Sequence, residues 1–174
     1  MSMYPIASTV LTNNLSGVVT FTNLPQNFTH LQARWFMRTT GSATYEGVYF
    51  NGDAGANNYY VHGIYGDGSA AAFSTATNNQ ATVVPATMPN SATTANVFGS
   101  ITCDIFDYSS TSKNKTVKWT WGYDGNGVGM VGVSSAVWLN TSAINRLDFN
   151  AGNAFAAGTR IDIYGISNSP MTGV

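Results

Sequence analysis

Few side chains in this sequence could support acid–base or nucleophilic chemistry, and their spacing is not that of a catalytic site. The chain holds two histidines, His30 and His62, and one cysteine, Cys103. Nucleophilic catalysis needs a nucleophile beside a base that a third group orients. No serine lies in a G-x-S-x-G pattern, and no cationic residue adjoins Cys103 to favour its thiolate. We therefore interpret the histidines as polar residues at strand ends and Cys103 as a small core residue.

The carboxylates are equally few, with one Glu and seven Asp. Glycosidases pair two carboxylates across the scissile bond. Asp104 and Asp107 are three residues apart, which places them on opposite faces of an extended chain. Asp53, Asp67 and Asp124 each adjoin a Gly, where Asp typically accepts backbone hydrogen bonds in turns. The sequence therefore predicts that the protein is not an enzyme and has no catalytic residues.

One turn has a faint metal-binding character. Asp124-Gly-Asn126-Gly resembles part of a calcium loop, but the closing bidentate Glu is missing. No cluster of His and Cys suits zinc. We predict no metal site and no cofactor within the chain, and a hard cation at a subunit interface stays open.

The composition excludes several classes of protein. Charged residues make up only 9% of the chain, and the net charge is -1. Nucleic-acid binding needs clustered Lys and Arg, and the seven basic residues here are mostly scattered. No apolar run approaches the ~20 residues of a membrane-spanning helix. The N-terminus lacks the basic region of a signal peptide, and a single cysteine fits folding in a reducing compartment such as a cytosol.

Short apolar and polar alternation dominates the rest of the sequence and indicates β-strands. Thr, Val, Tyr and Phe are abundant, while the residues that coat exposed helices are scarce, so we expect little or no helix. About ten strands with turns between them are typical of an all-β sandwich or barrel. The candidate strands lie at 6–11, 17–21, 31–38, 45–50, 59–65, 80–84, 97–106, 117–123, 128–139, 144–149 and 161–166.

The aromatic residues allow two readings. Trp119 and Trp121 share one face of a candidate strand, with the lysines Lys115 and Lys118 assigned to the opposite face. If exposed, such a pair could stack on sugars or form an assembly surface, but we favour a place in the core. Tyr59, Tyr60 and Tyr65, with Asn57 and Asn58, would suit glycan recognition if exposed.

Four segments carry a resemblance to a known family. They are LPQNFTHLQARWFMRT (24–39), VYFNGDAGANNYYVHGIYGDGS (48–69), DIFDYSSTSKNKTVKW (104–119) and WLNTSAINRLDFNAGNAFAAGTRIDIYGI (138–166). In this order they resemble small virion proteins of tailed bacteriophages, cyanophages among them. The shared features are a Leu-Pro entry into a strand, an Asn-Gly-Asp turn, an Asp-Tyr stretch with lysines and a closing Tyr-Gly-Ile strand.

This resemblance implies a jelly-roll β-sandwich that serves as a structural part of a virion. Because the chain starts at its own Met and no shaft sequence precedes the domain, we expect a capsid decoration (cement) protein. It would form a homotrimer, bind the major capsid protein at the capsid surface and assemble in the host cytoplasm. The alternative is a tail-fibre knob that recognises a host surface glycan. Neither role involves nucleic acid or a membrane.

The ends of the chain complete the predicted organisation. We expect an N-terminal arm with a first short strand at 1–16, a jelly-roll domain at 17–167 and a C-terminal tail at 168–174. Apolar termini often dock on a neighbouring molecule, whereas unpartnered termini fray. We therefore predict Met3, Tyr4, Pro5 and Ile6 as assembly contacts.

Overall fold

The prediction of an all-β protein is confirmed. The structure is a computed structural model that describes residues 1–42, 45–54, 57–69, 73–80 and 86–168. These residues form strands and no helix. The strands are β1 (Ser2–Val10), β2 (Val18–Phe21), β3 (His30–Met37), β4 (Tyr45–Phe50), β5 (Tyr59–Gly66), β6 (Phe73–Gln80), β7 (Ala86–Thr87), β8 (Gly99–Ile105), β9 (Lys115–Asp124), β10 (Gly129–Trp138), β11 (Leu147–Ala151) and β12 (Arg160–Ser167).

The strands form two antiparallel sheets of unequal size. The large sheet has the order β1-β12-β3-β8-β9-β10-β5-β6, and the small sheet has the order β2-β11-β4-β7. Turn residues set the hairpins that connect them. Asn126 and Gly127 both have positive φ between β9 and β10, and Asn51 and Gly52 do the same after β4. Asn and Gly adopt this conformation at little cost, as the sequence predicts for both turns.

The core lies between the two sheets and contains one side chain from every second position. In β3, Leu31, Ala33, Trp35 and Met37 are buried, and the positions between them are exposed or half-buried. Aromatic contacts join the sheets, because Trp35 of β3 lies 5.0 Å from Phe149 of β11 between ring centroids. The alternation in the sequence therefore reports directly which face of each strand meets the other sheet.

The N-terminal segment differs from its predicted form. The predicted arm is not separate from the domain, because residues 2–10 form β1 and pair with β12 along its length. The predicted strand began at Ile6, after Pro5, which lacks a backbone donor. Proline is tolerated at an edge strand, and the register shifts by one residue between Pro5 and Ala7.

The region after Gly68 also differs from its prediction. The sequence permits a strand at 80–84, whereas the structure has β6 at Phe73–Gln80. Residues 81–85 lie outside the described part of the chain, as do residues 169–174 of the predicted tail. The alternation of small and polar residues from 73 to 80 carries little hydrophobic periodicity, so its register is weakly specified by the sequence.

Candidate functional site

One side of the large sheet faces away from the small sheet. We call it the outer face, and it consists of the outward side chains of β1, β12, β3, β8, β9, β10 and β5. The register aligns these side chains in rows across the strands. One row contains Gln32, Asp104, Lys118, Ser135 and His62 in adjacent strands. The strand register therefore shows which side chains are neighbours on the outer face.

On the β1 side of the outer face, polar groups bind one another. Arg34 donates from Nε to the Gln32 side-chain oxygen at 2.7 Å, and Gln32 donates to an Asp104 oxygen at 2.7 Å. The Arg34 guanidinium also lies 5.2 Å from the centroid of the Tyr164 ring. These contacts cross three strands, so they fix the side chains and leave little unsatisfied charge on this half.

Asp162 is the second polar centre of the same half. Its carboxylate accepts a hydrogen bond from Ser8 Oγ at 2.5 Å and from Arg160 Nε at 2.8 Å. Burial alone would raise the pKa of Asp162, but the bonds from Arg160 and Ser8 outweigh it and hold the pKa below its usual value. The carboxylate is therefore ionised at neutral pH and paired within its own sheet.

The β5 side of the outer face is apolar. Val131 is 67% exposed and Ile64 is 56% exposed, and the half-buried Val133 lies between them. Val133 is the register partner of Ile64, and Val131 is that of Gly66. On the β1 side of the outer face, the exposed Phe36 of β3 stacks on Phe98, which precedes β8, with 5.0 Å between ring centroids. Apolar side chains of this size at such exposure are typical of a contact surface.

A second polar cluster lies at the Asn-Gly-Asp turn after β4. Asp148 of β11 is completely buried and accepts hydrogen bonds from Thr20 Oγ1 at 2.7 Å, Arg146 Nε at 2.8 Å and the Gly52 backbone N–H at 3.2 Å. Asn51 ties the same turn to the chain before β11, because its side-chain oxygen accepts from the backbone N–H groups of residues 145 and 146. The Asp148 carboxylate therefore has a structural role, since its hydrogen bonds connect the turn to two strands of the small sheet.

Asp53 of the same turn is also held by donors. The indole N–H of Trp138 donates to it at 2.7 Å, and Asn58 donates at 3.0 Å. Tyr59 donates to the Asp53 backbone oxygen and accepts from the Phe50 N–H, both at 3.1 Å. The Asp53 carboxylate is therefore held by two donors of its own fold.

The sequence-predicted residues for chemistry occupy structural places. Cys103 is buried, and burial raises the pKa of its thiol, which confirms the interpretation as a core residue. His30 Nδ1 accepts the Asp107 backbone N–H at 3.0 Å at a strand end, whereas His62 lies exposed on the outer face. Asp107 pairs with Lys113 at 2.6 Å, and this bond lowers the pKa of the carboxyl.

The candidate calcium turn is used differently from a metal loop. Asp124 Oδ1 accepts the backbone N–H of Asn126 at 2.9 Å, so the carboxylate caps its own hairpin turn. Across the described ranges, no group of three or more His, Cys, Asp or Glu side chains could hold a metal ion.

The aromatic predictions divide into two outcomes. Trp119 and Trp121 are buried, which confirms their place in the core. Tyr59 is also fully buried, so it cannot stack on a sugar as the glycan reading requires. Tyr65 is half-buried and packs against Trp121 with 6.1 Å between ring centroids. The tyrosines of this segment therefore do not form one exposed platform.

The prediction that Lys115 lies on the face of its strand opposite the tryptophans is wrong, and its burial is not predicted from the sequence. It lies on the inner side of β9 with the tryptophans, and its side chain is fully buried. Nζ donates to the backbone oxygens of Lys113 at 2.8 Å and Thr141 at 3.0 Å. Burial lowers the pKa of this ammonium group. A lysine at an alternate inward position was the only sequence signal for it.

The predicted assembly contacts are only partly available. Tyr4 and Ile6 are half-buried and pack against the core, and the Tyr4 ring lies 5.9 Å from Phe28 between centroids. Met3 and Pro5 are exposed at the edge strand β1. The structure thus leaves two of the four side chains for contacts with another molecule, and their role in assembly stays a prediction.

Comparisons with known proteins add little to this description. No family model matches the chain, and no curated protein matches it. Among solved structures, a crystal structure of a protein of unknown function from Shewanella oneidensis MR-1 is similar at 12% identity and a TM-score of 0.21. The match covers 98% of this chain and 82% of the other. A likeness at this level does not show a common fold. The described ranges also contain no helix long and apolar enough to cross a bilayer.

Proposed function

We propose that this chain is a structural protein of a tailed-phage particle, which decorates and stabilises the capsid through contacts with its own copies and with the major capsid protein. The observation that carries the proposal is the outer face. It presents exposed Phe36, Ile64 and Val131 beside polar groups that are already bound within the sheet. A surface of this kind loses little hydration of charge when another protein covers it.

The strand order supports the jelly-roll assignment within this proposal. If β5, β6, β9 and β10 are set aside as two hairpins added to the large sheet, eight strands remain in the orders β1-β12-β3-β8 and β2-β11-β4-β7. The chain then passes from one sheet to the other at every step except that from β4 to β7, which are neighbours in the small sheet. An eight-stranded double sheet built from two Greek keys is the jelly roll that capsid proteins use.

The mechanism that we propose is mechanical. Each copy would bridge neighbouring shell subunits and add contact area that must be broken before the shell expands or ruptures. An interface of about 1,600 Å² in total is enough for a stable complex without a covalent bond. Because few charges take part, binding to the capsid protein should depend only weakly on ionic strength. The homotrimer and the location at the capsid surface are parts of this proposal.

The copy number and location of the chain in purified particles test the proposal. We expect quantitative mass spectrometry to find hundreds of copies per particle and a cryo-EM map to place the density on the head lattice. A handful of copies at the tail tip would support the glycan-binding knob instead, and a glycan array would then identify its ligand. Absence of the chain from particles would refute both readings.

A further inference from the structure

The outer face is self-complementary in charge along strand β9. Thr116, Lys118, Thr120, Gly122 and Asp124 occupy its alternate outward positions, since Trp119 and Trp121 between them are buried in the core. Lys118 therefore lies towards one end of the face and Asp124 at the other. Six residues of extended strand separate their Cα atoms by about 20 Å. A second copy turned end to end would bring each lysine to the other copy's aspartate.

Neither charge has an opposite partner among the residues that the structure describes. Within the described residues, no carboxylate lies at ion-pair distance from Lys118, and its register neighbour Asp104 accepts a hydrogen bond from Gln32. Asp124 is bound only to the backbone of its own turn. This differs from Asp162 and Asp148, each of which holds an arginine at 2.8 Å. Lys118 and Asp124 are both exposed, so both can reach another molecule.

We propose that the outer face binds a second copy of this chain about a two-fold axis perpendicular to the strands, with Lys118 of each copy meeting Asp124 of the other. A two-fold contact uses the same patch on both subunits, so the patch must be its own complement. The inference rests on the part of the proposed function in which the chain associates with itself. It does not depend on the capsid, and it replaces the predicted homotrimer by a pair as the basic unit of assembly.

The side chains near the proposed axis also match in size. The midpoint between Lys118 and Asp124 falls between Thr120 and Gly122, and the register carries this line between Val133 and Val131 in β10 and between Ile64 and Gly66 in β5. Ile64 of one copy would therefore face Gly66 of the other. A Cβ atom placed on Gly66 would have nothing within 4 Å, so this glycine leaves a real depression in the face. Large residues thus meet small ones, as a packed interface requires.

The centre of the proposed contact is apolar. All seven strands of the outer face reach the rows of Thr120 and Gly122 on either side of the proposed axis, and β9 and β10 continue to the row of Asp124. Val131 and Ile64, which are 67% and 56% exposed in the monomer, would be covered there.

Charge-reversal variants studied alone and in mixture test the proposal. We expect the wild-type chain to sediment as a dimer in analytical ultracentrifugation. Lys118→Asp places an aspartate opposite Asp124 at both contacts of the dimer. Asp124→Lys places a lysine opposite Lys118 at both contacts. Each variant alone should have a dimer dissociation constant about 100-fold higher. An equimolar mixture should form a heterodimer as tight as the wild type, because both ion pairs are then restored.

Two further variants separate a lost contact from a lost fold. Gly66→Leu has free space in the monomer but would collide with Ile64 of the second copy, so it should give a folded monomer. Lys113→Asp makes the same charge change outside the outer face and should leave the dimer intact. A monomeric wild type, single variants that still dimerise, or a mixture that stays monomeric would each overturn the two-fold contact. A capsid location found by microscopy would be unaffected by that result.

Discussion

Removal of the buried Asp148 carboxylate should destabilise the protein much more than removal of the corresponding carboxylate of Asp162. Asp148 and Asp162 each follow an arginine by two positions. Each carboxylate accepts a hydrogen bond from Nε of that arginine at 2.8 Å. They differ in surroundings, because the Asp148 side chain is 0% exposed and that of Asp162 is 16% exposed. The pair is therefore a matched comparison of the same ion pair at two depths.

The expected magnitude follows from the groups left behind. Asp148→Ala leaves the Thr20 hydroxyl, the Gly52 N–H and the Arg146 guanidinium, all on exposed or half-buried residues, without their buried acceptor, and a hydrogen bond to a charged group contributes about 1.5–3 kcal/mol. We expect a loss of about 3 kcal/mol in the free energy of unfolding. Asp162→Ala loses a pair at the surface, for which about 1 kcal/mol or less is typical. For a chain of this length these losses correspond to about 6–12 °C and 2–4 °C in Tm.

Urea denaturation at neutral pH measures both losses directly, provided that the slope m is unchanged between the variants. Asp148→Asn is the control for shape, because it keeps an acceptor oxygen for one of the donors and should recover part of the loss. If Asp148→Ala and Asp162→Ala cost the same amount, the burial of the carboxylate does not determine its contribution, and the account of this cluster is wrong.

Three further predictions concern the core. Gly132→Ala should cost about 1–3 kcal/mol in urea denaturation, because its Cβ would lie 2.5 Å from the Trp121 ring; an unchanged midpoint would show that the ring can move. Cys103 should not react with a thiol reagent in native buffer and should react fully in denaturant, since it is buried and its thiol pKa is raised; rapid native labelling would contradict this. Burial raises the pKa of the Tyr59 phenol above its usual value, so the stability that its neutral form provides is present below about pH 10 and lost at higher pH. Tyr59→Phe should reduce the loss of stability at alkaline pH only in part, because burial also raises the pKa of Tyr108. If the variant loses as much stability as the wild type when the pH is raised, the assignment of this loss to Tyr59 is wrong.

Period-two alternation was sufficient to predict most of the strands, because one face of each must meet the core. The strands at 31–38, 117–123 and 161–166 all appear within about two residues of their predicted ends. The alternation did not predict the bounds of strands in which this requirement is weaker. The edge strand β1 tolerates Pro5, which a central strand would exclude, and β6 has almost no apolar periodicity.

The residues that carry the candidate surface could not be selected from the sequence in the same way. Lys118 and Lys115 are three residues apart and look alike in the sequence, yet one is exposed on the outer face and the other is fully buried. Strand parity separates them, but only after the first residue of β9 is known. Asp148 depends on Thr20, 128 positions away, which only the pairing of β11 with β2 brings near. Such contacts are properties of topology rather than of local pattern.

The low charge of the chain has a physical consequence for how its surface can be used. Asp148 and Asp162 each form an ion pair with an arginine, and Asp107 forms one with a lysine. Asp104 accepts a hydrogen bond from Gln32. Nearly every carboxylate among the side chains that the structure describes is thus engaged by its own fold, and few of these are left to repel other copies of the chain. A monomer ordinarily keeps apart from its copies through unpaired surface charge. In this protein the unpaired Lys118 and Asp124 are arranged so that they attract a second copy, and the same arrangement would orient it.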